Sequence, residues 1–250
     1  MTNNNTVQKL RSMGLTGMAD AYREQANDKL MANYSFDERL AMLVDIEWDR
    51  RKNNRLKRLI YAANFKFNNA NIAEVDYHED RKLDRSSINA LATCTYITNN
   101  ENIIITGASG SGKTWIACAF GMAACMKQYT TKYIRLPELL EDIDIAKRSG
   151  TRQRVIDLYA KAKLLIIDEW LLTSVNEREA KDLFEIVESR YMRGSTILCS
   201  QFKTGGWHDK IGQNTLADAI LDRLVHNAHH IFIESNVSMR DRRGLAKNKP

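Results

Sequence analysis

The sequence predicts an α/β fold, a parallel sheet covered by helices, preceded by a small all-helical domain. Three observations carry this expectation. Five short apolar or β-branched runs, at 102–106, 132–136, 163–168, 195–200 and 230–234, alternate with helical patterns over 113–127, 137–148, 152–161, 176–192 and 214–228. Short apolar strands separated by helices belong to a parallel sheet buried on both faces. The first run feeds directly into a glycine-rich loop, GASGSGKT, from Gly107 to Thr114. Ahead of the alternation, from Ser35 to about Asn64, apolar residues recur at helical spacing with no Gly or Pro among them.

Taken in order, residues 6–30 read as one or two short helices broken near Gly14 and Gly17. The long helix that follows starts at a capping Ser35 and sets Phe36, Leu40, Leu43, Val44, Trp48, Leu56, Leu59 and Ile60 on its apolar side. FKFNNANIAEVDYHEDRKLD has turn formers, mixed charge and no clean period, so it reads as a connection. The expected division is a helical N-terminal domain over 1–66, a connection over 67–90, and the α/β domain with a basic tail over 91–250.

With 44% hydrophobic residues and only two prolines, the composition is that of a globular, helix-rich chain. No apolar run approaches the roughly 20 residues needed to span a bilayer. MTNNNTVQKL lacks the apolar segment of a secretory signal, so a cytoplasmic protein is expected. Cys94, Cys118, Cys125 and Cys199 show no CxxC spacing and read as reduced core thiols. The net charge of +6 is concentrated: RRKNNRLKR (Arg50 to Arg58) holds six basic residues and no acid, and the final RDRRGLAKNKP holds five against one. Compact basic patches on an otherwise balanced chain suit a polyanionic partner.

Gly107, Ala108, Ser109, Gly110, Ser111, Gly112, Lys113 and Thr114 satisfy the P-loop pattern between a strand and a helix. Glycines let successive backbone N–H groups turn inward around phosphate, and the helix N-terminus adds a favourable dipole. Lys113 would reach the β- and γ-phosphates of ATP, and the Thr114 hydroxyl would hold Mg²⁺. Trp115 follows directly, within reach of the same nucleotide. LLIIDE then delivers Asp168 to a strand end, as a second Mg²⁺ ligand, and places Glu169 to polarise an attacking water. TILCSQF ends a strand on Ser200 and Gln201, read either as a polar strand boundary or as an amide near the γ-phosphate. ADAILDRLVHNA carries Arg223, read either as a partner of Asp218 or Asp222 or as an arginine offered to a neighbouring subunit's ATP.

GASGSGKT, LLIIDE, the Ser-Gln after the fourth strand, AILDRL and SMR, in that order, resemble the AAA+ ATPases of the IstB/DnaC branch. The resemblance is closer to the IstB type, the helper ATPases encoded beside a transposase in insertion sequences. KLRSMGLTGMADAYREQ, FDERLAMLVDIEWDRRKNNRLKRLIYAANFKF and SRYMRGSTILCSQF are similar to that family's blocks, so the resemblance runs over residues 6 to 243. It implies that Arg223 is the arginine finger and Arg240, in SMR, the sensor-two arginine on the nucleotide. Gln201 falls where the family usually has a sensor-one Asn. Leu171 stands where many relatives have Gly, and Asn236-Val237 where Gly-Glu is common. With ten residues after Arg240, no C-terminal helical lid is expected, as fits this branch.

The resemblance further implies an ATP-dependent homo-oligomer, with ATP at subunit interfaces, that wraps duplex DNA with little sequence preference and engages a transposase. Arg51, Arg55 and Arg58 share one helix face, with Lys52 nearby, and Lys147, Arg148, Arg152 and Arg154 cluster farther on; both groups are candidate phosphate contacts. The four tryptophans are scattered, so no stacking platform for single strands is expected. Two other readings use the same pocket. One is a replicative helicase loader acting on a helicase ring and single-stranded DNA, and the other is a nucleotide-gated scaffold with negligible turnover.

Overall fold

The computed structural model describes residues 2–212, 215–234 and 237–243, and the side chains of Thr2, Asn3, Arg240 and Arg243 are not among those described. Most of the expected basic tail therefore lies outside the described residues. The chain forms two compact units, Met1–Arg58 and Leu59–Pro250.

In the first unit, α1 (Thr2–Ser12) and α2 (Thr16–Asn27) are separated at Gly14, as the glycines suggest. Gly14 adopts φ +74°, and the Leu15 N–H reaches back to the Leu10 carbonyl at 2.9 Å while Gly14 N–H reaches Arg11. This is the Schellman ending that a left-handed residue permits. Gly17 does not break the chain but lies in the first turn of α2. That turn has no local cap; instead Glu47, from α3 (Phe36–Ala63), accepts from Gly17 N–H at 2.9 Å and Met18 N–H at 3.2 Å. A carboxylate at a helix N-terminus satisfies orphan donors and favours the dipole. Ser35 and Glu38 form the capping box of α3, with Glu38 N–H on Ser35 Oγ and Ser35 N–H on Glu38 Oε2.

The expected apolar side of the long helix is buried only in part, with Leu56, Leu59 and Ile60 half-buried. Leu43 and Glu47 are buried, whereas Phe36, Leu40, Val44 and Trp48 are exposed. A shift of one residue rotates a side chain by about 100° on a helix, so a stripe at 36, 40, 44 and 48 lies beside the buried one, not on it.

The second unit contains α4 (Arg85–Ala92), α5 (Thr95–Thr98), β1 (Asn102–Gly107), α6 (Lys113–Met126), β2 (Thr131–Arg135), α7 (Leu136–Arg148) and α8 (Arg152–Ala160). It continues with β3 (Leu164–Asp168), α9 (Glu177–Arg190), β4 (Ser195–Ser200), α10 (Trp207–Ile211), α11 (Thr215–Val225), β5 (Ala228–Ile233) and α12 (Met239–Arg243). The five strands are all parallel, in the order β2-β3-β4-β1-β5. Each expected strand is present within two residues of its expected start.

Alternation along the strands builds two cores. Ile103, Ile105, Ile166 and Ile197 pack with α6, while Ile104, Leu165, Ile167 and Leu198 pack with α7, α8, α9 and α11. The segment read as a connection contributes Ala70, Val75 and Ile88 to the α6 side, so it is part of this unit's core. Its lack of period follows from short 3₁₀ turns at Ile72–Glu74 and Glu79–Arg81, which bury isolated side chains without repeating. All four cysteines are buried and free.

Arg190 holds the N-terminal ends of two central strands together. Its buried guanidinium donates to the carbonyls of Tyr159, Ala160, Ala162 and Ser195 and to Thr196 Oγ1, joining the end of α8 to the starts of β3 and β4. Burial pulls its pKa down to about 9, still high enough to keep the charge at neutral pH. Arg190→Met leaves those carbonyls short of donors and is expected to cost about 3 kcal/mol or more. An unchanged denaturant midpoint would contradict this.

A second expectation concerns acid. Hydrogen bonds from Arg50, then from Arg51 and Met18 N–H, hold the Glu47 carboxyl at about 2, below its ordinary 4.5. A depressed carboxyl stabilises the fold fully above pH 4.5, and that contribution is lost as pH falls towards 2. Glu47→Gln should flatten this limb of a stability-against-pH curve; a limb as steep as wild type would place the acid sensitivity elsewhere.

Candidate active site

The loop after β1 is shaped by close backbone approach. A Cβ on Gly107 would sit 2.5 Å from the Ile233 carbonyl of β5, its register partner. Only glycine lets the two strands stay paired where the loop departs. Lys113 opens α6, is 9% exposed, and folds back so that its Nζ donates to the carbonyls of Gly107 and Ala108, each at 2.8 Å. Burial lowers its pKa, the expected direction for an ammonium withdrawn from water. Ser111 Oγ is buried without a hydrogen-bond partner in the same loop.

Asp168 ends β3 and is buried. Its Oδ2 accepts from Thr114 Oγ1 at 2.8 Å and from the Tyr133 hydroxyl at 3.0 Å, and its Oδ1 accepts from Glu169 N–H at 2.9 Å. Burial, reinforced by the adjacent carboxylate, pushes the Tyr133 phenol far up, so it stays a donor. Past Asp168 the chain turns sharply. Glu169 and Leu171 adopt φ +55° and +51°, and Trp170 N–H bonds the Cys199 carbonyl of β4 at 2.8 Å. Leu171 thus occupies the left-handed region; its full burial offsets a strain of roughly 1 kcal/mol. The turn leaves the Glu169 carboxylate partly exposed, with Arg135 Nη1 at 3.7 Å; Arg135 is itself held by Glu138.

Since β4 lies between β3 and β1, Gln201 follows the strand that separates Asp168 from the glycine loop, and it is exposed there. Arg223 is at the other end of the sheet. Its carbonyl accepts from Asn102 Nδ2, at the start of β1, about 17 Å from the phosphate loop by strand rise. Its guanidinium pairs with Glu188 and lies 5.2 Å and 5.6 Å from the ring centres of Phe184 and Tyr191. The Arg240 side chain lies outside the described residues, although α12 begins against the loop, with Met239 N–H on the Gly110 carbonyl at 2.9 Å.

A cavity of about 310 Å³ opens beside Lys113 and Thr114. Trp115 lines it with Lys66, Phe67, Asp76, Arg81 and Met239, and the Phe67 and Trp115 rings are 5.5 Å apart. Asp76, Arg81, Tyr133 and Arg135 escaped the sequence reading because they belong to no motif, and Lys66, Phe67 and Met239 lay in quoted blocks without being assigned to the site. The FKF pair after the long helix was the one available signal. The candidate DNA-contact residues divide. Lys147 and Arg152 both pair with buried Asp182, Arg152 also with Glu185, and Arg148 with Asp144. Arg51 is held by Glu47, while Arg55 and Arg58 are exposed on α3.

A phosphate loop after β1, an acid pair after β3 and the strand order β2-β3-β4-β1-β5 define a P-loop protein of the AAA+ class. The chain belongs to the family of IstB-like ATP binding proteins, whose model matches residues 8–246. It is 40% identical to y4pL of Sinorhizobium fredii, described as an insertion-sequence ATP-binding protein, over 95% of this chain and 97% of that one. It is 39% identical to the IS1162 ATP-binding protein of Pseudomonas fluorescens, over 80% and 87% of the two chains. The AMPPCP-bound DnaA of Aquifex aeolicus superposes with a TM-score of 0.58 at 19% identity, over 70% of this chain and 52% of that one. DnaI does so with a TM-score of 0.58 at 16%, over 71% and 93%. At these identities the likeness is one of fold. No helix among the described residues is long and apolar enough to cross a membrane.

The residues fit a nucleoside triphosphate with a divalent cation. The Thr114 and Asp168 oxygens adjoin as a hard cation requires, Lys113 stands beside the cavity, and the buried Ser111 hydroxyl has bonding capacity to spare. Gly107→Ala drives a Cβ into backbone and is expected to cost about 1–3 kcal/mol and to abolish nucleotide binding. Wild-type stability and binding would contradict the close-approach argument.

Proposed function

We propose that this protein is a Mg·ATP-dependent ATPase that assembles on duplex DNA and serves transposition, engaging a partner transposase. The observation that carries the reading is the placing of Lys113, Thr114, Asp168 and Glu169 where β1 and β3 end, with Lys113 and Thr114 lining a cavity of about 310 Å³, in a chain of this family. Phe67 and Trp115 would receive the base, and Lys113 with the loop N–H groups the phosphates. Glu169 would take the proton of a water whose oxygen bonds to the terminal phosphorus as the bond to the bridging oxygen breaks and ADP leaves. Mg²⁺, when bound by Thr114 and Asp168, would neutralise charge on the phosphates.

Arg223 is too far along its own sheet to serve its own loop, which supports a role across a subunit interface. A nucleotide shared between subunits favours assembly only by binding the assembled state more tightly. Gln201 and Arg240 remain candidates for the phosphate end, Gln201 through the position of β4. For DNA, Arg55 and Arg58 are candidate contacts because both are exposed on α3.

Lys113→Ala should abolish ATP binding, measured by titration. Glu169→Gln should bind ATP but hydrolyse it about a hundredfold or more slowly. With ATP and Mg²⁺ that variant should sediment as large complexes on duplex DNA and not on single strands of equal length. Preference for single strands would instead support a helicase loader. Arg223→Ala should lower hydrolysis roughly a thousandfold while single subunits still bind nucleotide. Hydrolysis at the wild-type rate would remove the cross-subunit role. Arg55→Ala with Arg58→Ala should reduce the slope of log affinity against log salt by about 2, and an unchanged slope would move the DNA surface off α3.

A further inference from the structure

The phosphate loop is braced from outside by a residue that no motif contains. Arg81, in the segment between α3 and α4, is 2% exposed. Its Nη2 donates to the Ser111 carbonyl at 2.8 Å and its Nη1 to the Asp76 carbonyl. A trans peptide is planar, with its C=O and N–H pointing in opposite directions. A grip on the Ser111 oxygen therefore turns the Gly112 N–H, at the other end of the same plane, away from Arg81. Gly112 adopts φ +93°, and a Cβ there would lie 2.9 Å from Arg81 Nη2, so glycine and arginine are matched.

The preceding carbonyl, that of Gly110, is held from a second segment by Met239 N–H at 2.9 Å. The two bracing segments are tied to each other. Arg242 of α12 pairs with Asp80, and its Nη1 lies 3.9 Å from Asp76 Oδ2. Two successive carbonyls of the loop are thus fixed by donors from distant parts of the chain. Arg81, Asp76 and Met239 also line the cavity that holds Lys113 and Thr114.

We propose that Arg81 is a positioning residue of the nucleotide site: by fixing the Ser111–Gly112 peptide it presets the loop N–H groups for the phosphates and adds a second positive charge beside Lys113. This rests on the nucleotide reading above. Arginine suits the place because its rigid fork serves the two carbonyls from separate nitrogens, Nη1 and Nη2, whereas lysine would have to serve both from one. The effect falls on binding, since the fixed peptide acts on bound phosphate before any bond breaks.

The test is calorimetric titration of the full chain with MgADP, with a thermal melt in the absence of nucleotide. Arg81→Met should raise the dissociation constant about tenfold or more, with kcat at saturating ATP within about twofold of wild type. Arg81→Lys, which keeps the charge but on a single nitrogen, should fall between. Arg242→Met, which loosens the segment without touching the loop, should weaken MgADP binding less than Arg81→Met, and it decides the matter if Arg81→Met does not fold. A lowered melting temperature with an unchanged dissociation constant, or wild-type binding by Arg242→Met when Arg81→Met is unfolded, would overturn the proposal. Retained MgADP binding by Lys113→Ala would sink the nucleotide reading itself, whereas loss there with wild-type binding in Arg81→Met would sink this inference alone.

Discussion

One carboxylate joins the parts of the site. Asp168 accepts from Thr114 on α6, from Tyr133 on β2 and from the backbone of Glu169, so three segments are fixed relative to one another by bonds to a single buried group. A buried acid satisfied by several donors is held rigidly, and removal of any donor leaves part of its desolvation uncompensated. Lys113, one residue before Thr114, inherits its position from this anchor, and so does Glu169, one residue after Asp168. The left-handed turn at Glu169 and Leu171 then follows, because the chain must leave β3 sharply enough for Trp170 N–H to meet the Cys199 carbonyl while its indole enters the core.

Around that anchor, buried arginines do a job that secondary structure leaves undone. Arg190 gathers carbonyls at the N-terminal ends of β3 and β4, and Arg81 gathers two beside the phosphate loop. Both bind main-chain acceptors where helices end or loops turn, the places where carbonyls lose their regular partners. Charged side chains are costly to bury, and a planar group with five donors is the one that recovers most of that cost in bonds. The acidic residues of α9 act similarly on the opposite charge: Asp182, itself buried, is balanced by Lys147 and Arg152 from α7 and α8.

The sheet was legible in the sequence because buried parallel strands are near-continuous apolar runs, and NIIIT, LLIID and STILCS carry that pattern without interruption. The phosphate loop and Asp168-Glu169 were legible because their chemistry demands fixed residue types at fixed spacing. Tyr133 was not, since a tyrosine on a strand is ordinary until the acid across the ladder is located. Nor was Arg81, whose role depends on a carbonyl thirty residues away. The α3 stripe was legible only in part, because a spacing of four drifts around the helix: Leu43 is buried beside Glu47, while Phe36, Leu40, Val44 and Trp48 are exposed. Arg223 was legible as a candidate, but its place at the far end of β1 required the fold.

The central claim is that Thr114 and Asp168 hold a cation on which nucleotide binding depends. Its most direct measurement is ADP affinity with and without Mg²⁺, in wild type and in Thr114→Val. The account predicts that Mg²⁺ strengthens binding to wild type and makes little difference to Thr114→Val, with metal-free affinity similar in both. Equal strengthening by Mg²⁺ in the two proteins would contradict it.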